Sequence, residues 1–129
     1  MTENLAQQLC ESLNSQLSIY KQIYDLQNEL LKDLDASNEL NKIMDSLNKK
    51  SLLLDSIREE NARSAPFVEE FIERKEELKN HPLYEDIERI ISEIEKFVLE
   101  LRTQDEAMIA RFDQHSQSKN RIDAFRALR

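Results

Sequence analysis

Few side chains in this sequence have the types and spacings that catalysis or metal binding requires. The two histidines, His81 and His115, are separated by 34 residues. Neither belongs to a Glu-x-x-His or His-x-x-x-His pattern, in which two ligands share one helix face. His81 precedes Pro82, which is typical of a histidine in a loop or at a helix cap. We therefore predict no metal ion and no other cofactor.

The acidic runs and the single cysteine also have ordinary structural explanations. In the run EEFIERKEE, Glu70, Arg74 and Lys75 are spaced for surface ion pairs worth about 0.2–0.5 kcal/mol each on a helix. No inward-facing histidine accompanies them, as a di-iron site would need. Cys10 occupies an apolar seam position without a positive group that would stabilise its thiolate. The prediction is a protein without enzymatic activity.

The composition predicts long helices. Glycine is absent, charged residues make up 34% of the chain and aromatic residues only 6%. Tight hairpins and phosphate-binding loops depend on glycine, so neither is expected. The fold class that we predict is all-α: an elongated antiparallel helical bundle or coiled coil of three long helices plus one short helix.

The first predicted helix runs from about Glu3 to Leu34. Its residues recur alternately four and three positions apart, the 3.5-residue period of a coiled-coil seam. The seam consists of Ala6, Cys10, Leu13, Leu17, Tyr20, Tyr24, Gln27, Leu31 and Leu34. Further apolar residues widen this stripe, so the helix is expected to touch more than one neighbour. These are Leu9, Ile23, Leu26 and Leu30.

The second predicted helix follows a short acidic break and is antiparallel to the first, because the connection is short. Two interpretations are open at RSAPFVEE. Ser64 can cap a new short helix that begins at Pro66 and ends near Lys79, or one continuous helix is kinked at Pro66. A last, long helix is predicted from Pro82 onward.

Three polar residues, Gln27, Lys50 and Gln104, interrupt otherwise apolar seams. Such residues commonly set helix register or oligomeric state. The alternative is partner binding, above all at Gln104 and its neighbour Asp105. Because burying an unpaired amide or carboxylate costs about 1–3 kcal/mol, we expect both to stay solvated where the compact bundle ends.

The apolar residues beyond Asp105 would then form an exposed strip, which on a monomer usually marks an interaction site. We therefore divide the chain into a bundle, residues 1–112, and a basic amphipathic tail, residues 113–129. The tail either folds only when a partner binds or packs back on its own bundle. The predicted partner-binding residues are Met108, Ile109, Phe112, Ile122, Phe125 and Leu128.

The charge distribution bears on the class of partner. The chain has a formal net charge of −8, and four basic residues against two aspartates give residues 113–129 a charge of +2. An acidic body argues against nucleic acid and anionic membranes. No apolar run approaches the length of a membrane span, and a lone cysteine fits a reducing compartment. We expect a cytoplasmic protein.

Two segments, LLKDLDASNELNKIMDSLNKKSLLLDSI and LELRTQDEAMIARF, resemble the FlgN/FliT-like flagellar export chaperones. The first holds an acidic break followed by a Leu-rich helix, and the second an acidic pair followed by apolar residues. The positions that carry the resemblance are Lys50, Leu53, Leu54, Ile57, Asp105, Glu106, Met108 and Ile109.

The resemblance implies a small cytoplasmic chaperone without cofactors. Its client would be the helical C-terminal region of a hook-associated or filament-cap subunit, bound by the late helix and the tail. The alternative is a structural coiled-coil adaptor or homodimerising scaffold, in which the strips close on a second copy.

Overall fold

The chain forms four helices. The computed structural model describes the backbone of residues 2–36 and 40–127 and the side chains of residues 4–34 and 40–111. The helices are α1 (Thr2–Ala36), α2 (Leu40–Glu73), α3 (Lys75–Leu78) and α4 (Tyr84–Ala127). The described backbone contains no strand. The predicted all-α class, with three long helices and one short one, is therefore confirmed.

The helix α1 is the central element of the bundle. Both α2 and α4 pack along it far more extensively than they pack against one another. A bond from Gln16 of α1 to Ser64 of α2 and an ion pair between Asp33 and Lys42 show that these two helices are antiparallel. The expectation that the first helix touches more than one neighbour is met.

The last helix, α4, runs parallel to α1. Tyr24 of α1 packs edge-to-face against Phe97 of α4 with ring centroids 5.6 Å apart, and further along both helices Gln27 contacts Gln104. The chain therefore runs up along α1, down along α2 and up again along α4. We call the space between α2 and α4, along one side of α1, the α2–α4 cleft.

The structure decides between the two interpretations of Ser64 and Pro66. The helix α2 continues through Pro66 to Glu73, so the short helix predicted from Pro66 to Lys79 is wrong. Ser64 is buried, accepts a hydrogen bond of 2.8 Å from the Gln16 amide and donates one to the Asn61 carbonyl. Its hydroxyl is thus used inside a continuing helix, and the exposed Pro66 does not end it.

The short helix α3 belongs to the turn that reverses the chain between α2 and α4. Backbone bonds from Leu78 to Arg74, from His81 to Leu78 and from Tyr84 to His81 close this turn. The His81 ring contributes as well, because its Nδ1 accepts a 3.1 Å bond from the Leu83 amide. His81 is therefore a turn histidine, as its position before Pro82 predicted.

Most of the buried apolar side chains belong to two separate clusters. The proximal cluster lies near the start of α1 and draws on all four helices: Leu5, Ala6, Leu9, Leu13, Leu17, Phe71, Leu78, Ile87 and Ile90. The distal cluster lies near the end of α1 and is smaller: Leu30, Leu34, Ile43 and Met108.

Candidate protein-binding surface

A buried layer of polar side chains separates the two apolar clusters. The Gln27 amide of α1 donates a 2.7 Å hydrogen bond to Gln104 Oε1 of α4. The Gln104 amide in turn donates to Asn28 Oδ1 at 2.7 Å and to the Tyr24 carbonyl at 3.2 Å. Each buried amide thus has partners, which removes the cost of leaving it unsatisfied.

The third polar interruption, Lys50, lies at the same level on α2. Its ammonium group is 3.1 Å from Asp105 Oδ1 of α4, and the lysine side chain is largely buried while the aspartate is about half exposed. This pair is one of the few links between α2 and α4. The three interruptions that the sequence singles out are therefore all paired with polar groups at one level of the bundle.

This arrangement corrects the expectation that Gln104 and Asp105 mark a solvated end of the bundle. Gln104 is only 7% exposed, because α1 supplies acceptors and a donor for its amide. The bundle therefore continues past this level, and Met108 is 4% exposed within the distal cluster. The prediction that Met108 belongs to an exposed strip is wrong.

Ile109, the next residue along α4, is exposed as predicted, at 60%. It lines an open groove of about 320 Å³ between α2 and α4, which we call the distal groove. Met108 forms part of the lining, and Lys50 and Asp105 limit the groove on the side of the polar layer. The groove is lined by Leu47, Lys50, Asp105, Met108 and Ile109.

An apolar row on α2 leads into the distal groove. Leu40, Met44 and Leu47 are spaced four and three residues apart, which puts them on one helix face. Leu40 and Met44 are exposed, and Leu47 reaches the groove. The 3.6-residue period of apolar residues cannot show by itself that no helix covers Leu40.

A second groove lies at the other end of the α2–α4 cleft, and we call it the proximal groove. It has a volume of about 400 Å³ and a largely apolar floor that includes Leu9 of α1 and Phe71 of α2. The Phe71 and Tyr84 rings stack beside it with centroids 5.7 Å apart. The lining residues are Leu9, Val68, Phe71, Ile72, Lys75, Glu88, Ile91, Ser92 and Glu95.

Four predicted site residues, Phe112, Ile122, Phe125 and Leu128, have side chains outside the described part of the chain. The helical backbone of α4 continues to Ala127. Of the six predicted residues, the structure thus brings Met108 and Ile109 to one groove. The role of all six in partner binding stays a prediction.

Among the described side chains, no group of three or more His, Cys, Asp or Glu residues could hold a metal ion. Burial raises the pKa of the Cys10 thiol, and the nearby Asp86 carboxylate adds to this effect, so the nucleophilic thiolate is disfavoured. No described helix is long and apolar enough to cross a membrane.

Comparisons with protein-family models, curated proteins and solved structures find no match for this chain.

Proposed function

We propose that this protein is a non-enzymatic chaperone that binds an amphipathic helix of a client protein in the distal groove. The observation that carries the proposal is the exposed apolar surface around that groove: Leu40 and Met44 on α2 and Ile109 on α4. Two nearly antiparallel helices with an apolar floor between them form the surface that helix-in-groove recognition uses.

The flexible side chains of this surface suit a binding site for helices. Met108 lines the groove, and Met44 is exposed on the α2 row that leads into it. Methionine adapts its shape to different partners because its side chain is unbranched. A client helix would contact the apolar row of α2 on one side and Ile109 on the other. Apolar residues at positions i, i+3 or i+4, and i+7 of the client would satisfy this geometry.

The class of client in this proposal comes from the resemblance to FlgN/FliT-like flagellar export chaperones. We propose that the client is the helical C-terminal region of a hook-associated or filament-cap export substrate, bound in the cytoplasm before export. The tail residues Ile122, Phe125 and Leu128 would extend the contact.

Binding of peptides from candidate substrates tests this function. We expect the full chain to bind the C-terminal peptide of at least one flagellar hook-associated or cap subunit from the same cell, measured by calorimetry. The double variant M44S/I109S should weaken that affinity by at least about tenfold. Both residues are exposed, so helicity measured by circular dichroism should not change.

The matched control is L52S. Leu52 is a similarly exposed apolar residue (68%) on a different face of α2, beside a groove that α1 and α2 form. L52S should bind the peptide as the wild type does. Equal binding by wild type and M44S/I109S would contradict the proposed site, and binding of none of the peptides would contradict the proposed client class.

A structural adaptor or homodimer is the second candidate, and the groove beside Leu52 favours it. That groove has a volume of about 470 Å³ and is lined by Gln22, Asp25, Leu26, Glu29, Lys49, Leu52 and Leu53. Its mixed charges and apolar centre fit a second copy of the same face. Sedimentation at micromolar concentration should then show a dimer that L52S dissociates, whereas a monomer rules this candidate out.

A further inference from the structure

The proximal groove has the features of a second helix-docking site. Its floor is apolar, and Ile72 on its α2 wall is 65% exposed. An exposed isoleucine beside an open apolar floor is a surface that a partner would cover. The groove lies on the opposite side of the polar layer from the distal groove, so the two sites share no lining residue.

The charges on the rim of the proximal groove are asymmetric. Glu88 and Glu95 stand seven residues apart on the α4 wall, and both are exposed. Seven residues correspond to two helical turns, or about 10.5 Å along the axis. Lys75 is the one basic residue of the lining and belongs to α3, on the opposite wall.

Carboxylates one heptad apart beside an apolar seam occupy the positions that select partners in helix pairs. In coiled coils, residues that flank the seam pair with opposite charges on the neighbouring helix and determine which helix binds. Basic residues spaced by seven on one flank of an incoming helix would lie opposite Glu88 and Glu95. An acidic residue on its other flank would face Lys75.

We infer that the proximal groove binds an amphipathic helix of a partner protein that carries lysine or arginine residues one heptad apart along one flank. The Tyr84 hydroxyl holds Glu88 in place through a 2.7 Å hydrogen bond to Oε1. One of the two carboxylates is thereby oriented before the partner arrives, which lowers the entropy cost of binding.

Two designed helical peptides of about 21 residues test this inference with the full chain. Both carry leucine at heptad seam positions, and their flanking positions hold lysine in one peptide and glutamate in the other. Fluorescence anisotropy should show that the wild type prefers the lysine peptide by about tenfold at low salt. The preference should shrink in about 0.5 M NaCl, because salt screens exposed charges.

The variant E88K/E95K should reverse the preference in favour of the glutamate peptide. The matched control is E59K/E100K, which changes the net charge equally at two exposed positions outside the groove. This control should keep the lysine preference. The variant I72S should weaken both peptides alike, since it removes apolar contact and leaves the rim charges intact.

Three results would overturn the inference. The wild type fails to discriminate between the peptides; E59K/E100K loses the preference as fully as E88K/E95K; or M44S/I109S abolishes binding of the lysine peptide. The last result would assign the peptide to the distal groove and leave the proposed function standing. Loss of client binding in M44S/I109S with an intact lysine preference would support both sites.

Discussion

The proximal and distal ends of this bundle are built on the same central helix but differ in depth. The proximal cluster combines side chains from all four helices and is closed by the turn around α3. The distal cluster has four buried members, and exposed apolar residues such as Met44 and Ile109 lie around it. The proximal end therefore has the deeper core, and the distal end has the smaller one.

The polar layer allows the two ends to differ. Gln104 accepts a hydrogen bond from the Gln27 amide and donates its own to Asn28 and the Tyr24 carbonyl. The apolar core can therefore be interrupted here without leaving a buried amide donor unpaired. The distal cluster therefore needs only enough apolar contact to hold its own three helices together. Under the proposed function, its exposed neighbours bind a client without a loss of packing at the proximal end.

Matched core truncations should show the largest difference between the ends. Leu13 and Leu34 both belong to α1 and are both 5% exposed. We expect L13A to lower the free energy of unfolding by about 4 kcal/mol and L34A by about 2 kcal/mol. The small distal cluster can collapse around the missing atoms more easily. Urea unfolding followed by circular dichroism measures both values, and equal losses would mean that the ends are packed alike.

Substitutions in the polar layer should have an intermediate effect. Q104L leaves the buried Gln27 amide without its acceptor and should cost about 1–3 kcal/mol of unfolding free energy. The double variant Q27L/Q104L replaces both partners by apolar groups and should regain most of that loss. The same urea experiment completes a double-mutant cycle. A double variant as unstable as the sum of the single ones would show that the two amides act independently.

The smallest effect concerns the rim of the proximal groove. The hydrogen bond to Glu88, the main cause, together with partial desolvation, raises the pKa of the Tyr84 hydroxyl above its ordinary value of 10.0. The folded state thus favours the neutral phenol. This contribution to stability is present below pH 10 and is lost as the pH rises through the folded pKa.

The variant E88Q should move the pKa of Tyr84 back toward 10, since it removes the charge that favours the neutral form. Absorbance titration of the tyrosines at high pH measures the change, and Y84F identifies the signal. A titration curve that is unchanged in E88Q would place the hydroxyl outside the influence of this carboxylate.

The sequence predicts the helices of this protein well but not which faces are covered. Apolar periodicity located three long helices and the polar interruptions in them. It also centres the first seam on residues such as Cys10 and Tyr24, which are only partly buried, whereas Leu9, Ile23 and Leu30 beside the seam are at most 1% exposed. The reason is that α1 packs against two helices on adjacent sides, and a single seam describes packing against one.

The candidate site was less predictable than the fold. The sequence predicts a solvated Gln104, and the structure buries it. The prediction is wrong because the partners of Gln104, Gln27 and Asn28, lie 77 and 76 residues away in the chain. A seam read on one helix cannot show such a pairing. Ile109 is exposed as predicted. Apolar periodicity does not show that Leu40 and Ile72 are exposed, because exposure depends on where the neighbouring helix ends.

The paired glutamines also fix how far α4 can slide along α1. A shift of one heptad would keep most leucines facing apolar neighbours, so hydrophobic contact alone would tolerate it. It would also bring Gln27 level with Phe97 and Gln104 level with Leu34, and both amides would lose their partners. The glutamine pair therefore selects one register of the two parallel helices among those that apolar contact would allow.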